Sequence, residues 1–138
     1  MRRAIVTTLA LAASLASGCA GSAPTPAMQD VKPLRVVSEQ TATGFAFPES
    51  VAYDPRAKVL YVSEFGSELK PAEKDGKGRI SRVSLTGQIL DKQFLPGPGG
   101  EVLNKPKGIW IQGNRLWVTD IDVVWIFDLK TKKGRKLA

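Results

Sequence analysis

Short runs of β-branched, aromatic and aliphatic residues, separated by turn residues, fill the chain from Leu34 onward. Runs of this kind, bounded by Gly, Pro, Asn and Asp, are typical of β-strands. We find no stretch of ten residues with the 3.6-residue period of an amphipathic helix. The pattern predicts strands at 34–37, 50–53, 59–63, 79–85, 88–95, 108–112, 115–119, 123–129 and 135–137.

Three blocks of sequence recur in the same order in the two halves of this strand-rich region. The aligned pairs are 48–53 (PESVAY) with 106–111 (PKGIWI), 60–64 (LYVSE) with 116–120 (LWVTD), and 80–85 (ISRVSL) with 124–129 (VWIFDL). The offset shrinks from 58 to 44 residues along the alignment, because the first copy carries an insertion around Gly66–Gly78. A repeat of roughly 40 to 50 residues is typical of the four-stranded blades of a β-propeller.

The predicted fold is all-β: a partial β-propeller of about two four-stranded antiparallel blades. The blades cover about 45–103 and 104–138 of an incomplete propeller at 34–138. Each blade of a propeller packs between its neighbours, which accounts for nearly continuous apolar strands such as 59–62. The insertion at Gly66–Gly78 is expected to be a solvated loop, with a lid over one end of the channel as the alternative.

The repeated residues resemble a known superfamily. FPESVAYD at 47–54, LYVS at 60–63 and GRISRVSLTG at 78–87 resemble the first blade of the senescence-marker-protein/gluconolactonase/luciferin-regenerating-enzyme superfamily. NKPKGI at 104–109 and LWVTDID at 116–122 resemble its second blade, in the style of NHL repeats. The resemblance implies a six-bladed propeller longer than this chain. Because propellers support many unrelated functions, it indicates fold more than reaction.

The same resemblance implies one metal ligand. Members of the superfamily hold a divalent metal, often calcium or zinc, in the central channel, and the lactonase members use it to open sugar lactones. Glu49 occupies the position of the first ligand, although the proline of the family motif is missing after Ser50. The other ligands belong to later blades, which this sequence does not match. We expect a metal at Glu49 only in a completed propeller; the alternative is a strand-start residue that bonds backbone groups.

Asp120 and Asp122 form a second candidate polar site. Alternate residues of an extended strand share a face, and neighbouring carboxylates can bind a cation or separate their pKa values for acid–base chemistry. The alternative, which we favour, is a polar turn between two strands, since Glu64 stands at the position equivalent to Asp120. The sequence assigns no catalytic residue.

We interpret the tryptophans and the glycine-rich segment as structural features of the fold. Trp110, Trp117 and Trp125 fall on predicted strands and are expected in a buried aromatic core, with a sugar-stacking surface as the alternative. The segment 97–100 (GPGG) lacks the following Lys and Ser or Thr of a phosphate-binding loop, so it is expected to be a loop between blades.

The first 18 residues have the composition of a signal peptide. Arg2 and Arg3 precede a short apolar stretch at 4–16, and a membrane-spanning helix would need about 20 apolar residues. The residues ASGC at 16–19 are similar to a bacterial lipobox, in which cleavage precedes the cysteine and its thiol is acylated. We predict a lipoprotein signal peptide at 1–18 and lipidation of Cys19; an ordinary signal peptide that contains a cysteine is the alternative.

Residues 19–33, which follow the signal peptide, are rich in Gly, Ala, Ser, Thr and Pro and should form a flexible tether. The predicted partner is therefore a membrane, bound through the lipid on Cys19. The predicted localisation is the bacterial cell envelope, facing the periplasm. Ala20 directly after the cysteine favours an outer membrane where the organism has one.

Composition excludes several classes of function. The formal net charge is +7, and many basic residues stand at 130–136, where we expect a solvated turn; no nucleic-acid-binding motif accompanies them. The absence of histidine excludes a Ser-His-Asp triad, a Cys–His pair and a His-ligated zinc site within this chain. One cysteine excludes an internal disulfide.

Two blades leave open faces and strand edges. In order of preference, we expect a shortened reading frame, a piece of a longer protein, or a homo-oligomer whose copies supply the missing blades. The predicted function is an envelope-anchored module that binds a small molecule or an envelope protein, and the chain alone is not expected to be catalytic. The alternative is a metal-dependent, gluconolactonase-like hydrolase of lactones, competent only in a completed propeller. The third hypothesis is a gene product that has no function.

Overall fold

A computed structural model describes residues 33, 35–98 and 100–137 of the chain. The signal peptide predicted at 1–18, the lipidation site Cys19 and the tether up to residue 32 lie outside these residues. The residues from Val37 onward belong to one compact unit. Pro33, Arg35 and Val36 precede it and are exposed.

The described part of the chain is all-β, as the hydrophobic pattern predicts. Its eight strands form two four-stranded antiparallel sheets, in which each strand pairs with the next one along the chain. The first sheet consists of β1 (Pro48–Asp54), β2 (Val59–Glu64), β3 (Arg79–Ser84) and β4 (Ile89–Leu95). The second consists of β5 (Ile109–Gln112), β6 (Arg115–Thr119), β7 (Val124–Asp128) and β8 (Gly134–Lys136).

Helices do not occur among the described residues. Accordingly, none of residues 33, 35–98 and 100–137 belongs to a helix long and apolar enough to cross a membrane.

Eight of the nine predicted strands are confirmed, each with ends within two residues of the prediction. The strand predicted at 34–37 is wrong. Residues 35–37 have no regular secondary structure, and the Val36 and Val37 side chains are 79% and 86% exposed. An apolar run becomes a strand only where a neighbouring backbone pairs its N–H and C=O groups, and residues 35–37 pair with no strand of the two sheets.

Both sheets contribute one face to a shared hydrophobic core. Along β2 and β6 the apolar side chains alternate in burial, as the two-residue period of a strand requires. The core cluster contains Val59, Tyr61, Ile80, Phe94, Leu95, Leu103, Leu116, Val118, Trp125 and Phe127. Leu103, on the connection between the sheets, is fully buried there. The two sheets therefore pack through side chains brought together by the connection at 96–108.

The aligned blocks of sequence occupy corresponding strands. The first block lies on β1 and β5, the second on β2 and β6, and the third on β3 and β7. The pairing register also corresponds, since Val51 lies opposite Val62 and the aligned Ile109 lies opposite Val118. The predicted turns separate the strands; at the turn between β5 and β6, Gly113 has φ +57°, a conformation typical of two-residue hairpin loops.

Candidate functional site

One end of both sheets gathers three connections. Residues 65–78 join β2 to β3 there, residues 96–108 join β4 to β5, and residues 120–123 join β6 to β7. The Ser63 hydroxyl at the end of β2 donates a hydrogen bond to the Lys107 carbonyl oxygen, 2.8 Å away. This bond holds the corresponding ends of the two sheets side by side.

A cleft of about 480 Å³ opens between these connections. The volume falls within the range of roughly 300 to 1,000 Å³ that small-molecule sites occupy. All three connections, together with β7 and β8, contribute to its lining: Lys74, Gly100, Val102, Asn104, Asp122, Val123, Trp125 and Lys136. The cleft is the candidate functional site.

Two ammonium groups and one carboxylate line the cleft. Lys74 Nζ lies 2.5 Å from Asp122 Oδ2, and this hydrogen bond lowers the pKa of the Asp122 carboxyl from its usual range. Lys136 Nζ lies 5.3 Å from the centre of the Trp125 ring, a cation–π contact. Within the described ranges no carboxylate forms an ion pair with Lys136. The exposed Lys136 ammonium is thus available to an anionic group.

A buried lysine joins two of the connections that border the cleft. The Lys105 side chain is fully buried, and its Nζ donates to Asp75 Oδ2 at 2.6 Å and to the Phe65 carbonyl oxygen at 3.1 Å. Burial works to raise the pKa of the Asp75 carboxyl, but the bond from Lys105 and the Lys77 backbone N–H outweigh it and lower that pKa. Lys105 thereby ties the insertion at 65–78 to the connection between the sheets.

Asp120 has a structural position beside this lysine. Its carboxylate is 7% exposed and accepts hydrogen bonds from the backbone N–H groups of Asn104 and Lys105, both at 2.7 Å. A third bond comes from the Ile121 N–H. Asp120 therefore positions Asn104 in the cleft wall through the backbone and does not itself line the cleft.

The two aspartates of the candidate polar site thus differ in burial and in hydrogen-bond partners. They lie in the connection between β6 and β7 and not on an extended strand. Asp120 is buried among backbone donors, whereas the side chain of Asp122 is 60% exposed and faces Lys74. This placement matches the polar turn that the repeat favoured.

The cleft also contains residues that sequence reasoning missed as a site. The sequence places Lys74 in an insertion expected to be solvated, Lys136 in a basic turn, and Asn104 in a blade motif. A lysine-rich stretch beside a predicted strand is too common a pattern to single out any member. Their proximity depends on how three connections fold together.

A second charged cluster lies on the first sheet, at Glu64. Its carboxylate is fully buried and accepts bonds from Arg79 and Lys92, both at 3.0 Å, and from Ser81. The Ala46 backbone N–H donates to the same carboxylate at 2.5 Å. Burial works to raise the pKa of Glu64, but these bonds together outweigh it and lower that pKa. The cluster fastens the segment before β1 across the first sheet.

Glu49 lies at the start of β1, where the pairing with β2 shifts register. Its side chain is exposed. Across the described residues, no group of three His, Cys, Asp or Glu side chains could hold a metal ion. A calcium or zinc ion at Glu49 would therefore need further ligands from outside the described residues.

The three tryptophans differ in burial. Trp125 belongs to the buried core, as expected, and its ring lies 5.7 Å from that of Phe127. Trp110 is 57% exposed and Trp117 is half-buried, with their ring centres 6.2 Å apart. The expectation of a buried aromatic core is therefore wrong for Trp110, because its face of the second sheet is not covered by the first.

No family model, curated protein or solved structure matches this chain.

Proposed function

We propose that this chain is an envelope-anchored binding module whose cleft takes a small hydroxylated carboxylate. The observation that carries the proposal is the Lys136 ammonium, which pairs with no carboxylate of the described residues, in a cleft that also presents the Asn104 amide and the Lys74–Asp122 pair. An ammonium can bind a ligand carboxylate through charge-assisted hydrogen bonds. The amide and the ion pair supply donors and acceptors for hydroxyl groups.

Gluconate and its uncharged analogue glucitol test this proposal by isothermal titration calorimetry. We expect binding of gluconate and much weaker binding of glucitol, because only gluconate has a carboxylate. Lys136→Gln should weaken gluconate binding about tenfold, or about 1.4 kcal/mol. Lys130→Gln, which removes an exposed charge outside the cleft, should leave it unchanged. Equal binding of the two probes, or equal effects of the two substitutions, would contradict the proposed site.

The anchoring part of the proposal is supported by the lipobox-like residues 16–19 and the Gly-, Ser- and Pro-rich stretch after them. Intact mass measurement of the native protein from bacterial envelopes tests it. The expected mass is that of a chain beginning at Cys19 plus its acyl groups, with Cys19→Ala as the unlipidated control. A native protein that retains Met1 would contradict the anchor.

The architecture proposed for the module is a partial β-propeller, with each sheet as one blade. Three observations support it: both sheets have four antiparallel strands in sequential order, their first strands β1 and β5 lie side by side, and their facing surfaces form one core. Propellers arrange four-stranded sheets radially in this way.

A second candidate function is metal-dependent lactone hydrolysis in a completed propeller. The observation that favours it is the exposed carboxylate of Glu49 on β1, the strand that adjoins the second sheet. Glu49→Gln should then abolish calcium- or zinc-dependent opening of gluconolactone by the native assembly, while Glu39→Gln, an exposed control, should not. Hydrolysis that survives Glu49→Gln would exclude Glu49 as a ligand.

A further inference from the structure

Each sheet has two faces, which we call front and back. Each face is defined by a row of residues that lie directly opposite one another on paired strands. In the first sheet the front row is Ala52, Tyr61 and Arg82, and the back row includes Val51 and Val62. Residues directly opposite one another on paired strands share a face. The rows of the first sheet therefore define two distinct surfaces.

The aligned positions define the same two faces in the second sheet. Its front row is Trp110, Trp117 and Ile126, and its back row includes Ile109 and Val118. Within the chain, front meets back: Tyr61 from the front of the first sheet belongs to one core with Val118 from the back of the second. The contact between the sheets is therefore directional.

Along β1, the back of the first sheet lacks the cover that the back of the second has. Val51 and Tyr53 are 60% and 50% exposed. The aligned residues of the second sheet, Ile109 and Ile111, pack against the shared core. The same positions of the repeat are thus partly buried in the second sheet and exposed to solvent in the first.

The front of the second sheet is open in the complementary way along β5 and β6, whereas Ile126 on β7 is buried. Tyr61 on the front of the first sheet is 3% exposed, whereas the aligned Trp117 is half-buried. Trp110 beside it is 57% exposed. Exposed apolar surface of this kind marks interaction sites.

We propose that the front of the second sheet binds the back of the first sheet of a second copy of this chain. The contact repeats between copies the front-to-back packing that already joins the two sheets within one copy. It would cover Trp110 and Trp117 with Val51 and Tyr53 of the other copy. The inference is independent of the proposed ligand and of the lipid anchor.

Directionality favours this arrangement over a symmetric dimer. Front-to-front pairing would cover the tryptophans of both copies but leave Val51 and Tyr53 exposed on each. In a head-to-tail row, front-to-back contact leaves an open front at one end and an open back at the other. A closed ring covers both of these faces. A closed head-to-tail oligomer is therefore the expected assembly.

Cross-linking between two singly labelled variants of the full chain tests the direction. Trp110→Cys and Tyr53→Cys are each placed in a Cys19→Ser background, so that each chain has one thiol, and are mixed with a short bis-maleimide. We expect covalent dimers chiefly in the mixture of the two variants. Dimers formed as readily by Trp110→Cys alone, or by the control pair Leu69→Cys with Tyr53→Cys, would overturn the proposal.

Light scattering of the full chain in a mild detergent tests the assembly itself. We expect the native protein to have a multiple of the monomer mass and Trp110→Asp or Val51→Asp to reduce it to one copy. Leu69→Asp, at a 63% exposed apolar residue of the insertion, should retain the native mass. Circular dichroism establishes that each variant keeps its β-structure. A native protein with the mass of one copy would overturn the proposal.

Discussion

Two buried charged side chains, Glu64 and Lys105, fasten irregular segments to the sheets. Each is fully buried, and burial of a charge is costly unless hydrogen bonds and an opposite charge compensate it. Glu64 accepts bonds from two cationic side chains, and Lys105 donates to one carboxylate and one carbonyl oxygen. The backbone segments around them are therefore held by charge-assisted hydrogen bonds to fully buried groups.

The lowered pKa of Glu64 predicts how stability depends on pH. Its folded pKa lies below the ordinary value of a glutamate carboxyl, so its stabilisation is fully present above that ordinary value and is lost as pH falls through the folded pKa. Glu64→Gln should lower the free energy of unfolding at pH 7 by about 3 kcal/mol. The difference from wild type should shrink as pH falls through the folded pKa, as measured by urea unfolding at a series of pH values.

Glu68→Gln is the matched control for this prediction, because Glu68 pairs with Lys70 in an exposed loop. Solvent screening should leave its effect on stability small. A constant difference between Glu64→Gln and wild type from pH 7 to below the folded pKa would show that the charge of Glu64 does not produce its stabilisation.

At the scale of elements, the insertion at 65–78 is a docked loop. The Gly78 backbone N–H donates to the Leu103 carbonyl oxygen at 3.0 Å, and Gly76 donates to the Asn104 side chain at 3.1 Å. These bonds, with the Lys105–Asp75 pair, hold the loop against the connection between the sheets. The loop forms one wall of the cleft, so its attachment determines the cleft's shape.

Gly78→Ala should weaken the attachment of the insertion at 65–78 to the connection between the sheets. A Cβ at residue 78 would lie 2.5 Å from the Asn104 carbonyl oxygen and closer still to the Pro106 ring, so backbone would have to move. We expect a loss of about 1 to 3 kcal/mol in the free energy of unfolding and faster hydrogen exchange at Gly76 and Lys77. Gly108→Ala is the control, because its Cβ would make ordinary contact with Thr119 at 3.5 Å. Equal effects of the two changes would contradict the close approach at Gly78.

Over the whole compact unit from Val37 onward, the shared core makes each sheet depend on the other. Leu103 comes from neither sheet, yet it is fully buried in the cluster that both supply. Ser63 and Lys107 add a hydrogen bond between the sheet ends. Neither sheet buries its apolar face without the other, so the two should unfold together.

Leu103→Ala tests this cooperativity. The cavity should lower the free energy of unfolding by about 3 kcal/mol, and hydrogen exchange should accelerate in β2 and β6 alike. Val102→Ala, at a 52% exposed neighbour, should change little. Faster exchange confined to one sheet would show that the sheets unfold separately.

The sequence by itself determined the strands, the turns and the correspondence between the two sheets. These features depend on interactions between residues close in the chain: β-branched and aromatic runs favour extended backbone, and Gly, Asn and Pro interrupt it. In the structure the aligned residues Leu60 and Leu116 lie opposite Tyr53 and Ile111, which the alignment also pairs with each other. The one predicted strand that failed, at 34–37, has the right composition, but its described residues 35–37 pair with no strand of the two sheets.

Only the tertiary structure decided which polar residues meet. Asp120 and Asp122 are two residues apart, yet one is buried by backbone donors from 104 and 105 and the other is exposed beside Lys74. The burial of Lys105 and the gathering of Lys74, Asn104 and Lys136 in one cleft likewise depend on contacts between distant segments. Local sequence cannot specify such contacts, because they form only when the two sheets pack and bring their connections to the same end.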